Sequence, residues 1–122
     1  MEDVITPKVA SDREHVYHLY VIRTDGRDAL KTRLAASDVS TAIHYPKALP
    51  FCPAYGYLGH TSRDFPIAYR NQNQILSLPM YAELSDEAIE EVVSQIRTAL
   101  LLDAETVTSQ MSEDTLVTGT YK

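Results

Sequence analysis

Six prolines punctuate this 122-residue chain and leave room only for short regular elements over its middle. Pro46, Pro50 and Pro53 follow closely on one another and lead into Gly56 and Gly59. Proline lacks a backbone N–H and holds φ near about −65°, so neither a long helix nor a central strand passes through such a stretch. Residues 46–59 are therefore expected to form a structured loop with short helical turns. Pro7 falls in a polar opening segment, Pro66 stands where a helix would accept it at its first position, and Pro79 closes an apolar run.

The segments between these breaks have readable patterns. His15 to Arg23 is rich in β-branched and aromatic residues and predicts a first strand. Asp25-Gly26 predicts a turn. Asp28 to Ala36 places Leu30 and Leu34 on one face, with Lys31 and Arg33 on the other, and predicts a short amphipathic helix. Val39, Thr41 and Ile43 alternate along a second strand, Val39 to His44, which Pro46 stops. Asp64 is placed to cap a helix that starts near Phe65-Pro66 and continues towards Leu76. A third strand is expected at 75–79, at an edge because of Pro79. Ser85 is expected to cap a helix reaching about Leu101, with Asp86 and Glu87 in its first turn and a stripe of Ile89, Val92, Val93, Ile96 and Leu100.

This order predicts an α/β fold of the α+β type, with a small sheet of about three strands covered by helices. Residues 1–14 read as an N-terminal arm or linker, 15–102 as the domain, and 103–122, rich in Thr, Ser and acids, as a flexible tail. A sheet this small has one face to spare. Unless another domain or subunit covers it, apolar side chains stay exposed, and self-association is expected.

Composition narrows the function classes. The net charge of −6 argues against nucleic acid, which demands a Lys/Arg-rich face. Cys52 is the single cysteine, so there is neither an intrachain disulfide nor a thiolate-rich metal site, and a cytoplasmic setting is expected. No apolar run is long enough to cross a bilayer. Gly56-Tyr57-Leu58-Gly59 lacks the clustered glycines and following lysine of a phosphate-cradling loop. His15 and His18, on a strand, would point to opposite faces and make a poor metal pair. Cys52 beside His44 or His60 would suit a nucleophile and its base, although a lone cysteine in a Pro-rich apolar stretch is more often a packed side chain. His44 and Tyr45 are the more unusual pair, because they sit where a strand end feeds a loop, a common place for ligand contacts. Local hydrogen bonding and packing is the competing explanation for both.

Five segments together make the chain resemble a known family. They are His15-Val16-Tyr17-His18-Leu19-Tyr20-Val21-Ile22-Arg23, Thr41-Ala42-Ile43-His44-Tyr45-Pro46, Pro53-Ala54-Tyr55, Asp64-Phe65-Pro66, and Leu76-Ser77-Leu78-Pro79-Met80 running on to Leu84-Ser85-Asp86-Glu87. Their order and spacing over residues 12 to 101 resemble the C-terminal small domain of the DegT/DnrJ/EryC1/StrS family. That family comprises pyridoxal-phosphate-dependent aminotransferases of fold type I, mostly acting on nucleotide-linked keto-sugars in cell-wall, polysaccharide or secondary-metabolite biosynthesis.

The resemblance implies a role as well as a deficit. In the family a large N-terminal domain supplies the cofactor lysine, the acid on the pyridine nitrogen and most phosphate contacts, and Lys8, Lys31, Lys47 and Lys122 lie in nothing similar to the lysine motif. The chain is thus expected to bind no pyridoxal phosphate alone, to have no catalytic residue, and to need a large domain or a second subunit. His44 and Tyr45 become candidates for nucleotide-sugar contact. The sequence departs from the family where a Pro-Leu-His run is common: Ala48-Leu49-Pro50-Phe51-Cys52 puts Pro50 in place of the second histidine. An alternative expectation is a stand-alone interaction or ligand-binding module that keeps the fold without the catalysis.

Overall fold

The structure, a computed structural model, describes the backbone of residues 4–117 and the side chains of residues 4–102. It contains two compact units, Met1–Leu84 and Ser85–Lys122. The first holds strand β1 (Tyr20–Arg23), helix α1 (Arg27–Ala36), two 3₁₀ turns (Leu49–Phe51 and Pro53–Leu58), helix α2 (Pro66–Gln74) and strand β2 (Ile75–Leu78). The second is helix α3 (Asp86–Val117).

β1 and β2 pair antiparallel, with Tyr20 opposite Leu78 and Arg23 opposite Ile75. Helix α1 packs on β2 and α2 lies against β1. Ile22, Leu30, Leu34 and Leu76 are fully buried, joined by Val39. The α/β class therefore stands, but the regular sheet has two strands rather than three.

The strand expected at Val39 to His44 is reduced to one bridge, Ala42 to Ser77, and the reason lies in hydrogen-bond bookkeeping. Ala42 and Ser77 exchange both backbone bonds, at 3.1 and 2.7 Å. In an antiparallel ladder the next bonded pairs would be two residues away on each side, Ser40 with Pro79 and His44 with Ile75. Pro79 has no N–H to give. The Ile75 N–H is already bonded to the Asn71 carbonyl at the end of α2, and its carbonyl accepts from the Arg27 guanidinium at 3.1 Å. Neither neighbouring rung is available. The same bridge corrects a second expectation: β2 is not an edge strand, since it is flanked by β1 on one side and Ala42 on the other.

The outer edge of β1 is limited in the same way. Ile5 and Arg23 exchange two backbone bonds, at 2.8 and 2.9 Å, so the opening segment docks on the sheet there. The next rung would set Pro7 opposite Val21, again without a donor.

β1 also begins later than its composition suggests. Tyr17 has φ of 48°, the left-handed region that a bulky side chain seldom adopts, and its N–H donates to His15 Nδ1 at 2.8 Å. Its ring lies 4.3 Å from His15 and 5.9 Å from Tyr20, centroid to centroid. A local turn thus replaces the first half of the expected strand at 15–23.

Two helix ends differ from expectation. Asp64 does not cap α2: its carboxylate accepts from the Thr61 N–H and hydroxyl at 2.8 and 2.9 Å and closes a turn, leaving Phe65 as a cap without a side-chain bond. Those bonds, chiefly the one from the Thr61 N–H, hold the Asp64 carboxyl below its ordinary value. Pro66 does occupy the first turn of α2. In the second unit, Ser85 Oγ accepts from the Ala88 N–H at 3.3 Å, as expected of a cap. Hydrogen bonds from its own N–H and then from Ser85 lower the Glu87 carboxyl. α3 continues to Val117, beyond the end expected near Leu101, so residues 103–117 of the expected tail have helical backbone; residues 118–122 lie outside the described residues. Among its described side chains Ile96 and Ala99 are buried, with Val92 and Val93 half-buried and Ile89 exposed.

Arg27 carries a connection that helix periodicity alone does not reveal. It is buried at 8% exposure, its Nε donates to Asp28, and its Nη1 reaches the Ile75 and Gln72 carbonyls at 3.1 and 3.5 Å. A cation thereby meets the carbonyl end of α2, where the helix dipole favours positive charge. Hydrogen bonds to charged groups contribute about 1.5–3 kcal/mol each, and stranded carbonyls add a penalty. Arg27→Ala is expected to lower the melting temperature by more than about 10 °C, since the two carbonyl bonds together contribute about 3 kcal/mol or more and each kcal/mol is worth about 4–8 °C for a domain of this size. Thermal unfolding followed by circular dichroism measures this, and a melting point within a degree or two of the parent would remove Arg27 from the account.

Candidate functional site

His44 and Tyr45 follow directly on the Ala42 bridge, so the sheet fixes where their segment leaves it. His44 is half-buried, and its Nδ1 lies 2.9 Å from the Oγ of buried Ser77. Tyr45 is 74% exposed and meets His44 edge to face, with centroids 5.8 Å apart. The peptide between them is cis.

Tyr45 lines an open depression of about 640 Å³ between the proline-rich loop and α2. Lys47, Leu49 and Cys52 contribute from the loop, and Asn71, Gln72 and Ile75 from the other wall. The loop is held to α2 by the Ala48 N–H, which donates to Gln72 Oε1 at 2.9 Å. Asn71 is fixed from behind by Arg23, whose Nη1 donates to its Oδ1 at 2.9 Å. The depression is mostly apolar with a few placed amides and one lysine, the usual make-up of a small-molecule site.

Of the residues singled out in the sequence, Tyr45 lines this depression, while His44 is not among its lining residues and lies against Tyr45 with Nδ1 turned to Ser77. The structure does not assemble Cys52 with either histidine. The Cys52 thiol is directed to the Ala48 and Lys47 carbonyls, at 3.7 and 3.9 Å, and His60 packs its ring on Phe65. Among the described residues no group of three or more potential metal ligands comes together, and no described helix is long and apolar enough to cross a membrane. Sequence reasoning missed Ser77, Asn71 and Gln72. A hydroxyl between leucines in Ile75-Leu76-Ser77-Leu78 was the available signal for the first; the two amides had none, because only the fold turns that side of α2 to the loop.

Pyridoxal phosphate demands a lysine for its aldehyde and an acid for its ring nitrogen. The depression offers Lys47 and no carboxylate. The described residues here do not fit that cofactor.

The fold has counterparts among known proteins. Residues 1–97 match the DegT/DnrJ/EryC1/StrS aminotransferase family, and the chain belongs to that family, whose members depend on pyridoxal phosphate. It is 38% identical over 93 residues to a pleiotropic regulatory protein of Geobacillus stearothermophilus, covering 76% of this chain and 25% of that one. Against a dTDP-3-amino-3,6-dideoxy-alpha-D-galactopyranose transaminase of Aneurinibacillus thermoaerophilus it is 34% identical over 90 residues, covering 74% and 24%. The crystal structure of S. venezuelae DesV in complex with a ketimine intermediate superposes with a TM-score of 0.75 at 31% identity, covering 79% of this chain and 26% of that one. The chain thus spans about a quarter of the length of the relatives it matches.

Proposed function

We propose that this chain forms the C-terminal small-domain part of a nucleotide-sugar aminotransferase, contributing His44 and Tyr45 to a substrate cleft while leaving the chemistry to a large domain or second subunit. The observation that carries this reading is that Tyr45, with His44 packed edge to face against it, lines an apolar depression that offers one lysine and no acid. The imidazole and the phenol are hydrogen-bonding groups suited to sugar hydroxyls and phosphate oxygens. A cytoplasmic setting belongs to the same proposal.

Titration of the ¹⁵N-labelled chain with dTDP-glucose tests the contact. Weak binding is expected, with shifts centred on His44, Tyr45 and Lys47 and lost in Tyr45→Ala. Saturable binding mapping elsewhere, for example along α3, would remove these two residues from the role.

The proposed partner has a surface to meet. Tyr45, Leu49, Tyr57 and Ile67 are all strongly exposed in the Met1–Leu84 unit, at 74, 70, 82 and 65%. Uncovered apolar surface of this kind marks interfaces. Light scattering is expected to show mass rising with concentration. A strict monomer up to about millimolar would favour the alternative of a stand-alone module.

A further inference from the structure

Ser77 is among the least exposed polar residues described, at 3%. Its backbone N–H and carbonyl are both committed to Ala42, at 2.7 and 3.1 Å, and its neighbours Leu76 and Leu78 pair with β1. The hydroxyl has a single recorded partner, His44 Nδ1 at 2.9 Å. Two proton arrangements fit that distance. If Nδ1 carried the proton and donated to Oγ, the Ser77 hydroxyl hydrogen would need a second acceptor, and none is recorded; a buried donor left unmade costs about 1–3 kcal/mol. If the hydroxyl donates to Nδ1, every group is satisfied and the ring proton sits on Nε2.

We propose that Ser77 is a positioning residue that holds neutral His44 in one ring orientation as the Nε2–H tautomer. Nε2 has no hydrogen-bond partner among the described residues, so the ring beside Tyr45 offers one fixed N–H donor. The ligand atom it suits is an oxygen acceptor, such as a hydroxyl, keto or phosphate oxygen. The tautomer assignment stands on the Ser77–His44 geometry alone; its consequence for ligand choice rests on the proposed substrate role of His44.

The test is long-range ¹H–¹⁵N spectroscopy of the full labelled chain at about pH 8, above the ordinary imidazole pKa of about 6.5. A His44→Asn variant identifies the ring signals. The parent is expected to show Nδ1 as an unprotonated, hydrogen-bond-accepting nitrogen and Nε2 as the protonated one. In Ser77→Ala the two ¹⁵N shifts should converge as both tautomers populate, and Ser77→Thr, which keeps the hydroxyl, should retain the parent pattern. A protonated Nδ1 in the parent, or shifts unmoved in a folded Ser77→Ala chain, overturns the proposal. Added dTDP-glucose separates it from the substrate reading: movement of the Nε2 signal in the parent supports both, whereas a correct tautomer with no response to the nucleotide-sugar leaves Ser77's role intact and sinks the ligand role of His44.

Discussion

Leu76→Asp is expected to leave the Met1–Leu84 unit unfolded at 25 °C. Leu76 has no exposed surface, pairs from β2 with Ile22 of β1, and belongs to the strand on which α1 packs. An unpaired carboxylate there costs several kcal/mol, and small domains have roughly 5–15 kcal/mol in total. Loss of the leucine adds its own burial and cavity terms, about 2–5 kcal/mol judged by truncation to alanine. The sum meets or exceeds the stability available to so small a core. Loss of amide dispersion in a proton–nitrogen spectrum measures the effect, with Leu76→Ala as the graded control. A Leu76→Asp chain that melts like the parent would show that the β1–β2–α1 core is not what holds this unit together.

How far the fold was legible depended on what each residue answers to. α1 and the start of α3 were readable because Leu30 with Leu34, and Ser85 followed by Asp86 and Glu87, are local signals acting within a turn or two. The expected strand at Val39 to His44 had the right alternation and still did not form a ladder. Its missing rungs depend on Pro79 and on Arg27 occupying the Ile75 carbonyl, and the second of these is visible only once α1 and α2 are brought together. Tyr17 shows the converse, a residue type that favours strands turned into a left-handed position by a bond to His15. Asp64 stood one residue from a cap and instead bonded backwards to Thr61, an alternative open to any aspartate near a turn.

The site divides along the same line. His44 and Tyr45 were candidates from their place at a strand end and from the family resemblance. Ser77, whose hydroxyl lies 2.9 Å from His44 Nδ1, was hidden because that contact depends on the Ala42 bridge, a long-range pairing. Lys47 was one lysine among four, and among the described lysines the fold places it in the lining of the depression.

Pyridoxal phosphate is therefore the sharpest probe of whether this chain contributes a surface or a catalytic centre. A dedicated lysine and an acid on the ring nitrogen act together in such centres, and removing either leaves only the ordinary reactivity of surface amines with an aldehyde. Lys8, Lys31 and Lys47 are all exposed, and Lys122 lies outside the described residues. On mixing with the cofactor, no one-to-one visible band is expected, and no transamination of a keto-sugar nucleotide with glutamate. The most direct measurement is borohydride trapping at one equivalent of pyridoxal phosphate, followed by mass spectrometry of the intact chain and its peptides. The account predicts sparse adducts spread over several amines; stoichiometric modification of a single lysine, Lys47 above all, would contradict it.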